Sequence, residues 1–263
     1  MPKPKPMPPR PALSGRLALI TGANRGIGLA IARALADQGC NLIITGRDER
    51  ALAKARIQLD KIHLDKNKVR AGNVSKTPRL PVLAQSCDLR SPDSVDDLFT
   101  LIRGLHRPLD ILINNAGISH PNLTVSDLPY PTWMEVIDTN LNGLFLVTQA
   151  ALAVMKKGGT IVNNLSVAAE RVFPGSAAYN ASKHGALGFT DTLREELRPK
   201  GIRVIALLPG ATDTAIWNTI WPQAPRHKMM SAESVARILV DALLLPQNTT
   251  VEKIAVRPSI GTL

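Results

Sequence analysis

Tyr179 and Lys183 form the residue pair in this sequence with the clearest capacity for chemistry. They are four positions apart in a stretch of helical character, so both side chains are expected on one helix face. A free phenol, with a pKa of about 10, is a poor acid or base at neutral pH, and a neighbouring ammonium favours its ionised form. We therefore expect Lys183 to bring the pKa of Tyr179 toward the range of general acid/base catalysis. The alternative is an ordinary pair on the surface of a helix.

Ser166 is a second candidate, because it follows an apolar run at 160–165 that is typical of a buried strand. If the strand ends beside the helix that carries Tyr179, the serine hydroxyl can reach the same pocket. A hydroxyl at that position would polarise a substrate carbonyl.

A glycine-rich turn lies directly after the first apolar run, at 17–21, and before apolar residues at helical spacing. Its glycines are Gly22, Gly26 and Gly28. Glycines in this context let the backbone approach a pyrophosphate at the N-terminus of a helix. The alternative is a tight turn that needs glycine only for its conformation.

Arg47 lies just past a second apolar strand at 41–45, where the adenosine ribose binds in folds of this type, and Gly46 precedes it instead of an acidic residue. An acid would hold the 2′-hydroxyl of NAD, whereas a guanidinium favours a 2′-phosphate. Arg25, within the glycine turn, adds a second positive charge. The pattern favours NADP(H) over NAD(H). The alternative is that both arginines belong only to a basic surface.

Seven strand-like segments alternate with helical segments, which predicts an α/β fold with a Rossmann-type, doubly wound parallel sheet. The segments lie at 17–21, 41–45, a third run closing at 87–89, 111–113, 160–165, 204–208 and 253–256. We expect residues 14–263 to form one domain, with a surface insertion at 63–86. Residues 1–13 are rich in proline and basic residues and are predicted to be disordered.

Composition excludes several other classes of protein. The formal net charge is +11, but the excess comes largely from the N-terminal segment and one loop, and no nucleic-acid-binding motif accompanies it. No run is apolar enough to span a membrane, and residues 1–11 lack the apolar stretch of a secretory signal. Cys40 and Cys87 do not form a metal-ligand or disulfide pattern. We expect a cytoplasmic protein that uses no metal.

Several of these features occur together in one known family. The turn over 21–28, the run Asn114-Asn115-Ala116-Gly117, Asn140, Ser166, the Tyr179/Lys183 pair and Pro209-Gly210 are in the order and at the spacing of the short-chain dehydrogenase/reductases. The sequence resembles this family from about residue 14 to its C-terminus. The resemblance implies a carbonyl reductase or alcohol dehydrogenase.

The resemblance also implies a role for each residue. Tyr179 would be the general acid/base, Ser166 would orient the substrate, Lys183 would bind the ribose, and Asn140 would hold a water in the proton relay. It implies cofactor contacts in four groups: Gly22, Asn24, Arg25, Gly26, Ile27 and Gly28 in the turn; Arg47, Asp88 and Leu89 around the adenosine; Asn115, Ala116 and Gly117 after the fourth strand; and Pro209, Gly210, Thr212 and Thr214 toward the nicotinamide.

The substrate is expected to be a small carbonyl or alcohol with an apolar part, because residues 214–230 include Trp217 and Trp221 and would cover the site. The alternative for these tryptophans is a purely structural seal of the core. His120 and Glu170 are weaker substrate candidates, each better explained as an exposed loop residue.

The resemblance further implies a homotetramer or homodimer. Two other functions stay open, an NAD-dependent alcohol dehydrogenase and a catalytically silent regulator that binds a dinucleotide.

Overall fold

One seven-stranded sheet forms the centre of the computed structural model, which describes residues 13–69 and 80–261. All neighbouring strands are parallel, in the order β3-β2-β1-β4-β5-β6-β7. The strands are β1 (Leu17–Thr21), β2 (Asn41–Gly46), β3 (Leu83–Ser86), β4 (Leu109–Asn114), β5 (Met155–Asn164), β6 (Arg203–Pro209) and β7 (Lys253–Val256). The predicted doubly wound parallel sheet is confirmed.

Helices cover both faces of the sheet, which is why β1 and β6 are buried along their whole length. The helices are α1 (Gly26–Asp37), α2 (Glu49–Val69), α3 (Pro92–Gly104), α4 (Tyr130–Ile137), α5 (Gly143–Leu152), α6 (Ala177–Leu197), α7 (Trp217–Ile220) and α8 (Ala232–Leu243). One apolar cluster joins α1, α2 and α8 to the sheet, and a second joins α3, α5 and α6 to the opposite face. Among the described residues, no helix has the length and apolar character required to cross a bilayer.

The strand order reverses between β1 and β4, which are neighbours in the sheet although two strands separate them in the sequence. In open parallel sheets, ligands bind in the crevice outside the carboxyl ends of the strands at such a reversal. The glycine turn after β1 and the residues after β4 and β5 all lie at that end. The fold therefore directs the candidate residues toward one crevice.

Three predicted boundaries need correction. The predicted surface insertion, 63–86, is regular structure at both ends, since residues 63–69 continue α2 and residues 83–86 form β3. Residues 70–79 lie outside the described residues. The third strand ends at Ser86, before Cys87. Of the predicted disordered segment, residues 1–12 lie outside the described residues, whereas Leu13 is buried in the core because its side chain packs into the apolar cluster below α1.

The glycine turn depends on close contact between β1 and β4. Gly22 has a φ of 63°, in the left-handed region that suits glycine. A Cβ atom on Gly28 would clash with the side-chain amide of Asn115 and with the carbonyl of Gly22. The turn can therefore fold back against the end of β4 only when residue 28 has no side chain.

We expect Gly28→Ala to destabilise the protein by about 1–3 kcal/mol, because the added methyl group has no room and its neighbours are backbone and a hydrogen-bonded amide. Urea unfolding measures the change. Gly104→Ala is the matched control, since a Cβ atom there meets no atom within 4 Å. Equal stability of the two variants would contradict this account of the turn.

Candidate active site

Helix α6 brings Tyr179 and Lys183 together. The Lys183 Nζ atom lies 5.5 Å from the centroid of the Tyr179 ring, and Lys183 is only 5% exposed. An ordinary surface pair would leave the ammonium in water, so that alternative is wrong for Lys183. Ser166 follows β5 and makes a side-chain hydrogen bond to Tyr179, while its Oγ accepts a bond from the Ala168 N–H at 3.0 Å. The structure thus places these three side chains in one pocket.

The electrostatics of the pair differ from the sequence-based expectation. Burial raises the pKa of Tyr179, and the hydrogen bond with Ser166 opposes this only in part. Burial lowers the pKa of Lys183 to about 8. Removal from water disfavours the charged form of both groups, and this effect outweighs the attraction between an ammonium and a phenolate. Tyr179 is therefore a neutral phenol, able to donate a proton, at neutral pH.

Asn140 lies in a π-helical turn, Asp138–Asn142, that joins α4 to α5. Its Oδ1 accepts a hydrogen bond from the Ile118 N–H at 2.8 Å, and its Nδ2 donates to the Ile118 carbonyl at 2.8 Å and to Ser182 Oγ at 3.0 Å. Asn140 Oδ1 and Lys183 Nζ both lie within 3.4 Å of the position that a Cβ atom on Gly117 would occupy. A π-helical turn often marks a functional position, and this one places Asn140 beside the lysine.

A polar junction holds the ends of β1, β4 and β5 together. Thr21 Oγ1 accepts hydrogen bonds from the N–H groups of Asn115 and Ala116, both at 3.0 Å. The Asn115 amide donates to the carbonyls of Thr21 and Gly22 and accepts from Asn164 Nδ2 at 2.8 Å. The Asn115 side chain and its backbone N–H group are thus both committed to contacts within the protein.

The junction extends to Lys183 through Asn164, whose carbonyl accepts a hydrogen bond from Lys183 Nζ at 3.4 Å. The glycine turn, the end of β4 and the ammonium group are therefore joined by one continuous set of contacts.

The segment after β6 faces the glycine turn. The Thr214 methyl carbon lies 3.3 Å from the position of a Cβ atom on Gly26, while Thr212 is buried and its hydroxyl bonds to the Gly210 carbonyl at 3.0 Å. The Gly210 N–H bonds in turn to the Val256 carbonyl at 2.7 Å. Of the four residues expected toward the nicotinamide, Thr214 therefore faces the turn directly, and Pro209, Gly210 and Thr212 precede it in the same segment.

The predicted adenosine end carries a group of charged residues. Arg47 Nη1 lies 3.8 Å from Glu135 Oε1. The Asp88 carboxylate is held by Arg90, with the shortest contact at 2.6 Å, and this arginine lowers the pKa of Asp88. Leu89 is buried, Arg25 is exposed, and the Asn24 amide lies 3.3 Å from the position of a Cβ atom on Gly46. The sequence analysis did not identify Arg90 or Glu135. Arg90 could have been found from its position two residues after Asp88, whereas nothing in the sequence pointed to Glu135.

The segment over 214–230 contains α7 and a short turn, Arg226–Lys228. Arg226 braces it internally, donating to the Asp213 carboxylate at 2.8 Å, to the Thr214 carbonyl at 2.7 Å and to the Asn218 side chain at 2.7 Å. Trp217 Nε1 donates to the Thr212 carbonyl at 2.9 Å, and Trp221 is 44% exposed. Trp221 therefore does not seal the core, and the bracing role of Arg226 was not predicted.

The two weaker substrate candidates have different environments. His120 is buried, contrary to an exposed loop position, and its Nδ1 donates to the Pro121 carbonyl at 2.7 Å. Glu170 forms an ion pair with Lys253 at 2.6 Å. In the described part of the chain, no three His, Cys, Asp or Glu side chains are grouped so as to hold a metal ion.

The comparisons with known proteins agree with this arrangement. A family model described as short chain dehydrogenase matches residues 16–225. A 3beta-hydroxysteroid dehydrogenase of Mediterraneibacter gnavus is 35% identical over 202 residues, covering 76% of this chain and 67% of that protein. This chain belongs to the short-chain dehydrogenase family, and it is an oxidoreductase that acts on CH–OH or C=O groups.

Two solved structures are similar over almost their whole length. An alcohol dehydrogenase of the archaeon Thermococcus sibiricus, complexed with 5-hydroxy-NADP, has a TM-score of 0.82 at 26% identity, covering 94% of this chain and 97% of that one. An actinorhodin polyketide ketoreductase variant with NADPH has a TM-score of 0.78 at 28% identity, covering 95% of this chain and 98% of that one. These proteins share the fold at low sequence identity.

We expect Lys183→Met to stabilise the folded protein by up to about 3 kcal/mol at pH 7, because a buried ammonium with a pKa of about 8 binds its proton less tightly than the unfolded chain does. The folded pKa lies below the unfolded value of 10.5. The destabilisation of the folded state by the buried ammonium is therefore at its full value below about pH 8, and it declines to zero as the pH rises toward 10.5.

Chemical unfolding of the variant and the parent protein at several pH values between 7 and 10.5 measures this difference. Lys200→Met, at an exposed lysine, is the control and should change stability little at any pH. A gain from Lys183→Met that stayed constant over this range would show that packing, and not charge burial, is responsible.

Proposed function

We propose that this protein is an NADP(H)-dependent oxidoreductase that reduces a carbonyl to an alcohol, or catalyses the reverse reaction, with Ser166, Tyr179, Lys183 and Asn140 as its catalytic set. The observation that carries the proposal is the contact of Tyr179 with both Ser166 and Lys183. A phenol with a hydroxyl on one side and an ammonium on the other can bind a carbonyl oxygen and exchange a proton with it.

The cradle for the cofactor fits a dinucleotide. The N-terminus of α1 begins at Gly26, and the side chain of the preceding Arg25 makes no capping hydrogen bond, which leaves backbone N–H groups for a pyrophosphate. Gly26 and Thr214 form facing walls of the crevice, and a side chain at residue 26 would narrow it. The bound 5-hydroxy-NADP and NADPH of the two similar structures support the same cofactor type here.

NADP(H) is favoured over NAD(H) by the residues after β2. Gly46, at the end of β2, carries no acidic side chain, and Arg47 supplies a guanidinium where the adenosine ribose would lie. Lys183 would hold the other ribose, Asp88 and Leu89 would border the adenine, and the backbone after β4 at Asn115, Ala116 and Gly117 would line the middle of the crevice. Pro209, Gly210, Thr212 and Thr214 would contact the nicotinamide end.

In the proposed mechanism, the substrate oxygen binds between the hydroxyl groups of Ser166 and Tyr179. Ser166 donates a hydrogen bond that stabilises negative charge on this oxygen, and Tyr179 donates its phenolic proton to it. A reduced nicotinamide held in the crevice would supply the hydride for the carbonyl carbon. Lys183 favours the ionised phenol as the proton leaves, and Asn140, fixed through Ile118 and Ser182, holds a water that returns a proton.

The raised pKa of Tyr179 favours reduction at neutral pH. A neutral phenol can act as an acid at once, whereas oxidation of an alcohol requires Tyr179 to lose its proton first. Together with the proposed use of NADP(H), this favours reduction over oxidation.

The substrate is proposed to be a small carbonyl or alcohol compound with an apolar part. Trp217, Ile220 and Trp221 are in the lid segment, and Trp221 exposes a large apolar surface at this end of the sheet. One relative is named a 3beta-hydroxysteroid dehydrogenase, and a steroid is a largely apolar molecule.

We expect Tyr179→Phe to abolish turnover, by a factor of about 10² or more, with little effect on NADPH binding, because it removes the proton donor and leaves the cofactor crevice intact. Nicotinamide oxidation with a panel of ketones, β-keto esters, quinones and aldehydes, run with NADPH and with NADH, measures turnover. The second tyrosine of the chain, Tyr130, is 71% exposed, so Tyr130→Phe is the matched control.

Each alternative function corresponds to a different result of this experiment. Turnover mainly with NADH would identify an NAD-dependent alcohol dehydrogenase. Tight nucleotide binding without turnover of any compound would favour the silent regulator. Near-normal turnover by Tyr179→Phe would show that the acid/base assignment is wrong.

The protein is further proposed to be a homotetramer, or a homodimer, that pairs through α5 and α6. Phe145 on α5 is 44% exposed and packs edge-on against Phe189 of α6, with ring centroids 6.0 Å apart. Phe189 is partly buried, so the exposed aromatic surface is mainly that of Phe145, and exposed aromatic side chains are typical of an interface core.

We expect Phe145→Asp to reduce the native mass in solution toward that of the monomer, because a carboxylate in an apolar interface would lose its hydration. Light scattering during gel filtration measures the mass. Ile57→Asp, at an exposed apolar residue of α2, is the control and should not change it. An unchanged mass for Phe145→Asp would place the interface elsewhere or exclude one.

A further inference from the structure

Glu135 occupies an unusual position between two arginines at the proposed adenosine end of the crevice. Its Oε1 lies 3.8 Å from Arg47 Nη1 and 3.8 Å from Arg90 Nη1. The three residues come from different elements: Arg47 follows β2, Arg90 precedes α3, and Glu135 lies in α4. The fold thus brings an acidic residue to a position where the sequence analysis expected only positive charge and adenine contacts.

The two arginines are not equivalent partners of Glu135. Arg90 has a closer carboxylate in Asp88, which it binds through both Nε and Nη2. For Arg47, the ion pair within 4 Å among the described residues is the one with Glu135. Arg47 and Glu135 are each almost half exposed, at 46% and 47%. A solvated pair at this distance is weak, and a better anion can displace it.

A 2′-phosphate is such an anion. It carries nearly two negative charges near neutral pH, and a guanidinium can bind it through two parallel hydrogen bonds. To bind the phosphate, Arg47 must leave Glu135, but Glu135 remains close because Arg90 attracts it from the other side. The carboxylate then opposes the phosphate that has taken its place.

We propose that Glu135 is a specificity-determining residue that competes with the 2′-phosphate for Arg47. It lowers the affinity for nucleotides that carry a 2′-phosphate and leaves the affinity for those without it unchanged. This inference rests on the proposed function, in which Arg47 binds the 2′-phosphate of NADP(H).

The test uses nucleotide fragments, so that it does not depend on turnover. Adenosine 2′,5′-bisphosphate and adenosine 5′-monophosphate are titrated into the full-length protein by calorimetry at low salt. We expect Glu135→Gln to bind the bisphosphate about two- to fivefold more tightly, which corresponds to the loss of one exposed charge contact, and the monophosphate equally well. The gain should decrease at high salt, because exposed charges are screened.

Glu233→Gln is the matched control. It removes the same charge and also an exposed contact with an arginine, at 3.9 Å from Arg33, but it lies on α8. Glu233→Gln should change neither the affinity for the bisphosphate nor the affinity for the monophosphate. Arg47→Ala should weaken binding of the bisphosphate alone, and adding Glu135→Gln to that variant should give a smaller gain than in the parent protein.

The outcomes separate the two proposals. If Arg47→Ala selectively weakens the bisphosphate while Glu135→Gln behaves like Glu233→Gln, the role of Glu135 is wrong and the NADP(H) assignment stands. Weaker binding of the bisphosphate by Glu135→Gln would show that Glu135 orients Arg47, which also overturns the competition. If Arg47→Ala weakens both fragments equally, the 2′-phosphate assignment fails, and the role of Glu135 fails with it.

Discussion

The hydrogen bonds of Asn115 determine how the carboxyl ends of β1, β4 and β5 meet. One amide group bonds to two carbonyls at the end of β1 and accepts a bond from Asn164 of β5. Parallel strands that end at the same edge leave unpaired backbone groups, which are costly when buried without partners. The amide satisfies several of them at once, and Gly28 must lack a side chain because the amide occupies that space. The position of the nucleotide cradle and the position of Lys183, held by the Asn164 carbonyl, both depend on this junction.

Charge burial gives the catalytic pair its properties. Desolvation is the cause of the lowered pKa of Lys183 and the largest cause of the raised pKa of Tyr179. Both shifts favour the neutral form, so Tyr179 holds its proton more tightly and Lys183 releases its proton more readily than in water. The pKa values of the phenol and the ammonium therefore move apart, and the proton stays on the phenol, the donor in the proposed reduction. A protein has to spend folding stability to maintain such an arrangement.

The sequence predicted the fold and the proximity of Tyr179 and Lys183 because both depend on short-range patterns. Strand periodicity located all seven strands to within a few residues, and the spacing of Tyr179 and Lys183 placed them on one helix face. The third strand and its flanks were less accurate, because α2 continues past Lys61 through polar residues with weak apolar periodicity. Contacts between distant elements could not be predicted. Glu135 meets Arg47 only because α4 packs beside the strand ends, and no local pattern in either segment indicates the other.

The sign of the Tyr179 pKa shift was wrong for a related reason. The sequence shows that an ammonium is nearby, but the free energy of removing each group from water depends on the whole fold around it. Burial can be derived only when the packing of α6 against β5 is known.

The two ends of the proposed lid, residues 214–230, lie close together in the structure. A backbone bridge joins Thr212 to Met230, and the Asp213 N–H bonds to the Met230 carbonyl at 2.9 Å, while Arg226 braces the chain between them. Closing a flexible loop reduces its conformational entropy, and here that loss has already occurred during folding. If residues 214–230 cover the substrate as proposed, binding would not have to bring the ends of the segment together. A larger part of the contact energy between substrate and lid is then available as binding affinity.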